Sequence, residues 1–179
     1  MKLASQKRLY GGLIVFFLSI SLTTTYYLLG GFQEVKVYKL PSETKLIAGK
    51  YFYTTYSDEA PQTHFDQCVE LILEGSVKGV ITTVDYLPDT LNEKMRMQFI
   101  GITLEKRMAE LPAGFEVREY KSKERFVATL SMNPIVRPPI PTIENMLEEV
   151  AKKENYKLQD FFIRMRYPDN SVQVEAWAK

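Results

Sequence analysis

The stretch VKVYKLPSETKLIA, Val35 to Ala48, returns eighty positions later as FEVREYKSKERFVA, Phe115 to Ala128. The two align without a gap. Val37 matches Val117, Ser42 matches Ser122 and Ala48 matches Ala128, with apolar residues matched at Val35/Phe115, Leu46/Phe126 and Ile47/Val127. The likeness continues downstream. Phe65, Cys68, Val69, Ile72 and Leu73 fall at i, i+3, i+4, i+7 and i+8, one face of a helix, and Ile143, Met146, Leu147, Val150 and Ala151 repeat the same offsets. For the first helix Ser57 or Asp58 can cap, Pro61 suits the first turn and Gly75 ends it. For the second, Thr142 is the expected cap, with Glu144 in the first turn where the helix dipole favours a negative charge.

A hairpin follows each helix. Both place a tyrosine just before a Pro-Asp turn, Tyr86-Leu87-Pro88-Asp89 and Tyr167-Pro168-Asp169. Proline presets φ, and aspartate bonds its own backbone. The returning strands alternate with period two, at Met95, Met97, Phe99 and at Val172, Val174, Ala176. Each half therefore reads strand, helix, strand, strand. Glu105 to Gly114 links the halves, and Asn133 to Pro141 is read as a stiff, extended loop. One copy is too small to bury its own sheet face. The expected fold is α+β: tandem strand–helix–strand–strand modules with pseudo-twofold symmetry, helices on one side, and a groove at the module junction, a favoured place for ligands.

The first 32 residues stand apart. Residues 1–8 form a basic flank with Lys2, Lys7 and Arg8, and no charged side chain occurs from Leu9 to Phe32. That run exceeds the roughly 20 apolar residues a spanning helix needs. Tyr10, Tyr26 and Tyr27 suit the membrane interfaces. A cleaved signal peptide is the competing reading, but no A-x-A site follows the run. The domain organisation expected is an anchor at 9–32 and a domain at 33–179, with module one at about 34–104 and module two at about 114–179. The protein is expected to be single-pass, with its N-terminus cytoplasmic and its domain extracytoplasmic.

Composition excludes several chemistries. Among 179 residues the net charge is +1, without the basic excess that marks nucleic-acid binding. One cysteine, Cys68, excludes an intrachain disulfide, and with the one histidine, His64, makes a poor metal site. No metal and no cofactor are expected. Cys68 is read as core and His64 as a solvated first-turn residue.

The tandem modules, the Val35–Ala48 strand, the YLPD and YPD hairpins and the C-terminal strand resemble the GyrI-like small-molecule-binding family over about Val35 to Lys179. That family includes gyrase-inhibitory proteins and the effector-binding domains of multidrug-responsive transcription regulators. An anchor followed by such a domain, with VDYLPDTLNEKMRMQFIGITL (Val84–Leu104) and GFEVREY from Gly114, resembles the testis-expressed ER-phagy receptor group. That group's receptor role rests on a long disordered tail. The sequence ends at Lys179, after the last strand, so this role is not expected to carry over. The resemblance implies a ligand groove. Drug-binding members place a glutamate on the strand after the second helix, where this chain has DFFIRMRY, and Glu175 on the last strand is the nearest substitute. Arg164, if turned to the groove, would favour an anionic or carbonyl-bearing ligand.

The candidate ligand-binding residues are Tyr53, Tyr86, Phe99, Phe162, Arg164, Glu175 and Trp177. Blander roles stand beside these: Phe99 with Met95 and Met97 as core, Glu175 as the cross-strand partner of an arginine, and Trp177 as a rim aromatic. The expected function is a membrane-anchored module holding a small apolar or amphipathic molecule. A protein-interaction adaptor with a vestigial groove, bound to a membrane partner, is the second reading. A hydrolase pairing Glu175 with Tyr86 or Tyr167, as the resemblance allows, is the third. The sequence carries no helix-turn-helix segment, which argues against a self-contained transcription regulator.

Overall fold

Strand alternation organises the structure, a computed structural model describing residues 2–88, 92, 94–108 and 110–179, with side chains from residue 11 onward. Asp89 of the first turn and the side chains of Lys2, Lys7, Arg8 and Tyr10 lie outside the described residues. The chain divides into two compact units, residues 1–34 with 131–137, and residues 35–130 with 138–179.

In the first unit, α1 runs Lys2–Leu28. Its window Gly11–Leu28 has a mean hydropathy of 1.5 and is not buried. By length and composition it can cross a membrane, a test that a signal sequence also passes. The helix end is tied within this unit by the Asn133 N–H, which donates to the Leu29 carbonyl at 3.1 Å. Where an extended loop was expected, Val136 N–H closes a turn onto the Asn133 carbonyl at 3.0 Å.

The second unit holds β1 (Val37–Pro41), β2 (Thr44–Thr55), α2 (Ala60–Leu73), β3 (Gly79–Tyr86), β4 (Met95–Leu104), β5 (Glu116–Lys121), β6 (Glu124–Leu130), α3 (Ile140–Lys153), β7 (Leu158–Arg166) and β8 (Val172–Ala178). All eight strands join one sheet in the order β1-β6-β8-β7-β3-β4-β2-β5, and every pairing is antiparallel. The single opening strand expected at Val35–Ala48 is two strands, because both repeat segments break at their serines. Val37 sits opposite Ala128 in β1–β6, and Ala48 sits opposite Val117 in β2–β5. At the break Ser122 N–H donates to the Glu43 carbonyl (3.1 Å) and Glu43 N–H to Ser122 Oγ (3.3 Å). The terminal strands β1 and β5 thus run on into β2 and β6, and the sheet curls back on itself around an inner face.

Both helices cover the outer face, α2 on β2, β3 and β4, and α3 on β1, β6, β7 and β8. Ile143, Leu147 and Ala151 are the buried positions of α3. The helix starts earlier than expected, with Pro139 as N-cap, so Thr142 does not cap and Glu144 lies beyond the first turn. On α2 the apolar stripe is rotated: Cys68 is fully buried, but Leu73 is 81% exposed and His64 only 7%. His64 is therefore not solvated. Its ring packs 5.5 Å from Phe52 and 4.9 Å from Phe115, with Nε2 3.2 Å from the Ile100 carbonyl. Burial lowers its pKa and pushes the adjacent Cys68 thiol up to about 12.

Candidate functional site

The inner face is assembled from every second residue of the strands. Ile47, Val84, Phe99, Tyr120, Ile163, Met165 and Trp177 form its buried cluster, with Tyr51, Val80, Tyr86, Phe161 and Tyr167 packed against it. Two regions of this face differ.

The first lies at the corner where both opening segments break, and it is sealed. Glu175 has no exposed surface. A buried carboxylate is tolerable only when paired and hydrogen-bonded, and here it is. Arg125 Nη1 (2.8 Å) and Gln173 Nε2 (2.6 Å) donate to Oε1, Trp177 Nε1 donates to Oε2 (2.7 Å), and Lys45 Nζ lies 3.4 Å from Oε1. Glu43 Oε2 bridges the same two cations, at 2.8 Å from Lys45 and 2.5 Å from Arg125. Two carboxylates and two cations leave the cluster neutral. Tyr167 reaches it through Gln173 Oε1 at 3.3 Å. Burial, then the nearby Glu175 and Glu43 carboxylates, hold the Tyr167 phenol above its ordinary pKa.

The second region is open and aromatic. The strand pairing sets Tyr51 opposite Phe99 and Tyr53 opposite Met97 on β2–β4, and Tyr86 opposite Phe161 on β3–β7. Tyr86 and Tyr120 share a hydroxyl hydrogen bond of 2.5 Å. Edge-to-face contacts join Tyr51 to Tyr86 (6.0 Å), Tyr86 to Phe161 (6.0 Å) and Tyr120 to Phe161 (5.4 Å). Arg118 lies among them, its guanidinium carbon 4.9 Å from the Tyr51 ring centre and 4.7 Å from that of Phe99, a cation–π arrangement. Its Nη1 is 3.4 Å from the Tyr86 hydroxyl, while Nε (2.8 Å) and Nη2 (2.7 Å) hold Glu116 Oε1. Beside this strand pair, Gly49 faces Gly101 across β2 and β4, and a Cβ on Gly49 would overlap the Ile100 carbonyl oxygen. Burial, ahead of its bonds to neighbouring groups, raises the pKa of Tyr120. At Tyr86 and Phe161 the region meets a hollow of about 510 Å³, also lined by Gln159, Asp160 and Lys179.

The sequence candidates divide three ways. Tyr53, 55% exposed, and the half-buried Tyr86 belong to the open region. Phe99, Glu175 and Trp177 lie on the inner face with no exposed surface, so Trp177 is core rather than rim. Phe162 and Arg164 lie on the other side of the sheet. On β7 the inner residues are Phe161, Ile163 and Met165, and the alternate ones turn outward. Phe162 is buried there, and Arg164 Nε donates to Asp85 Oδ2 at 2.6 Å. The nearby Glu144 carboxyl on α3 is raised by burial and by Asp85. Similarly, Met97 and Phe99 face inward on β4, whereas Val172, Val174 and Ala176 face outward on β8, since their inner neighbours are Gln173, Glu175 and Trp177. The two returning strands share an alternation but not a face.

Tyr51, Tyr120, Phe161, Arg118, Lys45 and Arg125 were not among the candidates. A signal for the cations was present: Lys45 and Arg125 occupy the same step of the aligned opening segments. Among the described residues no group of three or more His, Cys, Asp or Glu could hold a metal ion. Glu175 makes no direct hydrogen bond to a tyrosine among those residues.

No protein-family model matches the chain. No curated protein matches it either. Solved structures do. The C-terminal domain of EcmrR is similar with a TM-score of 0.52 at 7% identity, over 82% of this chain and 97% of that one. SAV2435 bound to tetraphenylphosphonium gives 0.49 at 12% identity, over 82% and 94%. An EcmrR–DNA complex gives 0.49 at 10% identity, over all of this chain and 72% of that one. The antiparallel α+β fold of this chain is thus similar to that of the EcmrR C-terminal domain.

Proposed function

We propose that this chain is a membrane-anchored binding module that holds a small apolar or amphipathic molecule against the open aromatic region of the inner face. The observation that carries the reading is the half-exposed set Tyr51, Tyr53, Tyr86 and Phe161 around Arg118, on a face whose other region is sealed. Flat rings with few polar atoms are the usual lining of a small-molecule site. Residues 9–32 serve as an uncleaved signal-anchor, with the domain at 33–179 on the extracytoplasmic side. That order of anchor and domain is what the likeness to the ER-phagy receptor group contributes. The domain itself is a unit written twice about a pseudo-twofold axis. The strand order supports this: exchanging β1–β4 for β5–β8 and reading from the other end restores it.

The test is native mass spectrometry of the full chain, purified gently in detergent. A reproducible added mass, lost on denaturation, is expected and would identify the ligand. A bare mass, unmoved by a library of lipophilic compounds, would sink the reading in favour of a membrane-partner adaptor. That alternative draws on the filled inner cluster and on the exposed Tyr38, Tyr56 and Leu87.

A further inference from the structure

Building on the proposed binding role, we infer that the open region selects its ligand by charge: it takes an aromatic molecule bearing a carboxylate, held by Arg118 and Tyr86, and rejects the cationic counterpart. Each carboxylate that reaches this face already has a cationic partner, so a ligand cation gains less there than a ligand anion gains at Arg118. Glu175 and Glu43 pair with Lys45 and Arg125, Glu116 Oε1 pairs with Arg118, and Asp160 Oδ1 of the adjoining hollow pairs with Lys179 at 3.0 Å.

Arg118 is different. A guanidinium offers five N–H groups in a planar fork. Glu116 takes Nε and Nη2, and Nη1 makes a long 3.4 Å contact with the Tyr86 hydroxyl, beside Tyr120. The Arg118 side chain is 36% exposed, so an incoming group can reach it. The Tyr86–Tyr120 hydroxyl pair adds a second donor. When Tyr120 donates to Tyr86, the Tyr86 hydrogen is left for a ligand oxygen beside Nη1. The rings of Tyr51, Tyr86 and Phe161 present the apolar surface against which the ligand's own ring lies. A ligand ammonium placed at Nη1 would meet the like charge of Arg118, whose counter-ion Glu116 is held on the Nε and Nη2 edge of the guanidinium instead.

The experiment is equilibrium dialysis of the full chain in lipid nanodiscs, with empty nanodiscs as the blank. Three probes of one shape are used: biphenyl-4-carboxylate, biphenyl-4-carboxamide and biphenyl-4-ylmethylammonium. The carboxylate is expected to bind at least about tenfold more tightly than the ammonium. In Arg118→Met that preference collapses while the carboxamide still binds. Arg118→Lys, which keeps the charge without the fork, falls between them and guards against a folding artefact. Equal or tighter ammonium binding, or a preference untouched in Arg118→Met, overturns the charge selection and leaves the binding role standing. Failure of all three probes to bind overturns both.

Discussion

The sealed corner and the open aromatic region lie on the same face of the same sheet, yet they solve opposite problems. At the corner, Glu43, Lys45, Arg125 and Glu175 bring four charges together, with Lys45 and Glu175 buried, and they persist because each charge has an opposite within reach. In the open region a single ion pair, Arg118–Glu116, sits near the surface among rings that remain half exposed. The first cannot admit a guest without breaking several charge-assisted bonds. The second can, because its hydrogen-bonding groups are only partly used. Polar groups that are saturated build structure, and unsaturated ones beside apolar surface are available for recognition.

The contrast breaks most readily at the corner. Replacing Glu175 with alanine leaves Arg125 and Lys45 facing one another with only Glu43 between them, and strands the Trp177 indole N–H. A loss of about 3–5 kcal/mol is expected, read by chemical denaturation of the full chain in detergent. A loss under about 1 kcal/mol would place this cluster with weak surface pairs. In the open region, Tyr86→Phe removes the hydrogen bond to Tyr120 and one donor for a ligand. It should cost about 1 kcal/mol of stability and weaken biphenyl-4-carboxylate more than biphenyl-4-carboxamide. Equal weakening of both would show that the hydroxyl does not meet the carboxylate.

A control comes from the outer face. His64 is held neutral by burial, its pKa below the ordinary 6.5. A depressed histidine binds its proton more readily in the unfolded chain. The stability it contributes is therefore whole above pH 6.5 and declines as pH falls from there through the folded-state value. Thermal melts between pH 7.5 and 5 should show this decline, and His64→Gln should flatten it. A melting curve that falls equally in the variant would assign the acid sensitivity elsewhere. The smallest effect on stability belongs to Tyr53→Ala, within about 0.5 kcal/mol because the ring is exposed. The same change should still weaken aromatic ligands, which separates a binding residue from a packing one.

Much of the architecture is legible in the chain. The helical offsets from Phe65 and from Ile143, the turn after Tyr167 and the long uncharged N-terminal run are local patterns, although α2 buries a face rotated from its offsets and the N-terminal run also fits a signal sequence. The candidate site is less so. Tyr53 and Tyr86 lie in the open region, whereas Phe162 and Arg164 lie on the other side of β7. Arg118, which holds the inner position, lies inside the very segment that reveals the repeat. A charged residue in an aligned strand is easily credited to the surface, since aliphatic stems of arginine commonly cover apolar patches there.

Apart from the break in the opening strand and the buried face of α2, sequence by itself determined the elements and their order. These depend on periodicity and turn chemistry, which act over a few residues. Only the tertiary structure decided which side of each strand is inner. Period-two alternation supplies two faces without a sign, and the sign came from the closing of the sheet at Glu43 and Ser122 and from where α2 and α3 packed. That choice placed Glu175 in an ion-paired corner, turned Arg164 to Asp85, and left Arg118 among half-exposed rings.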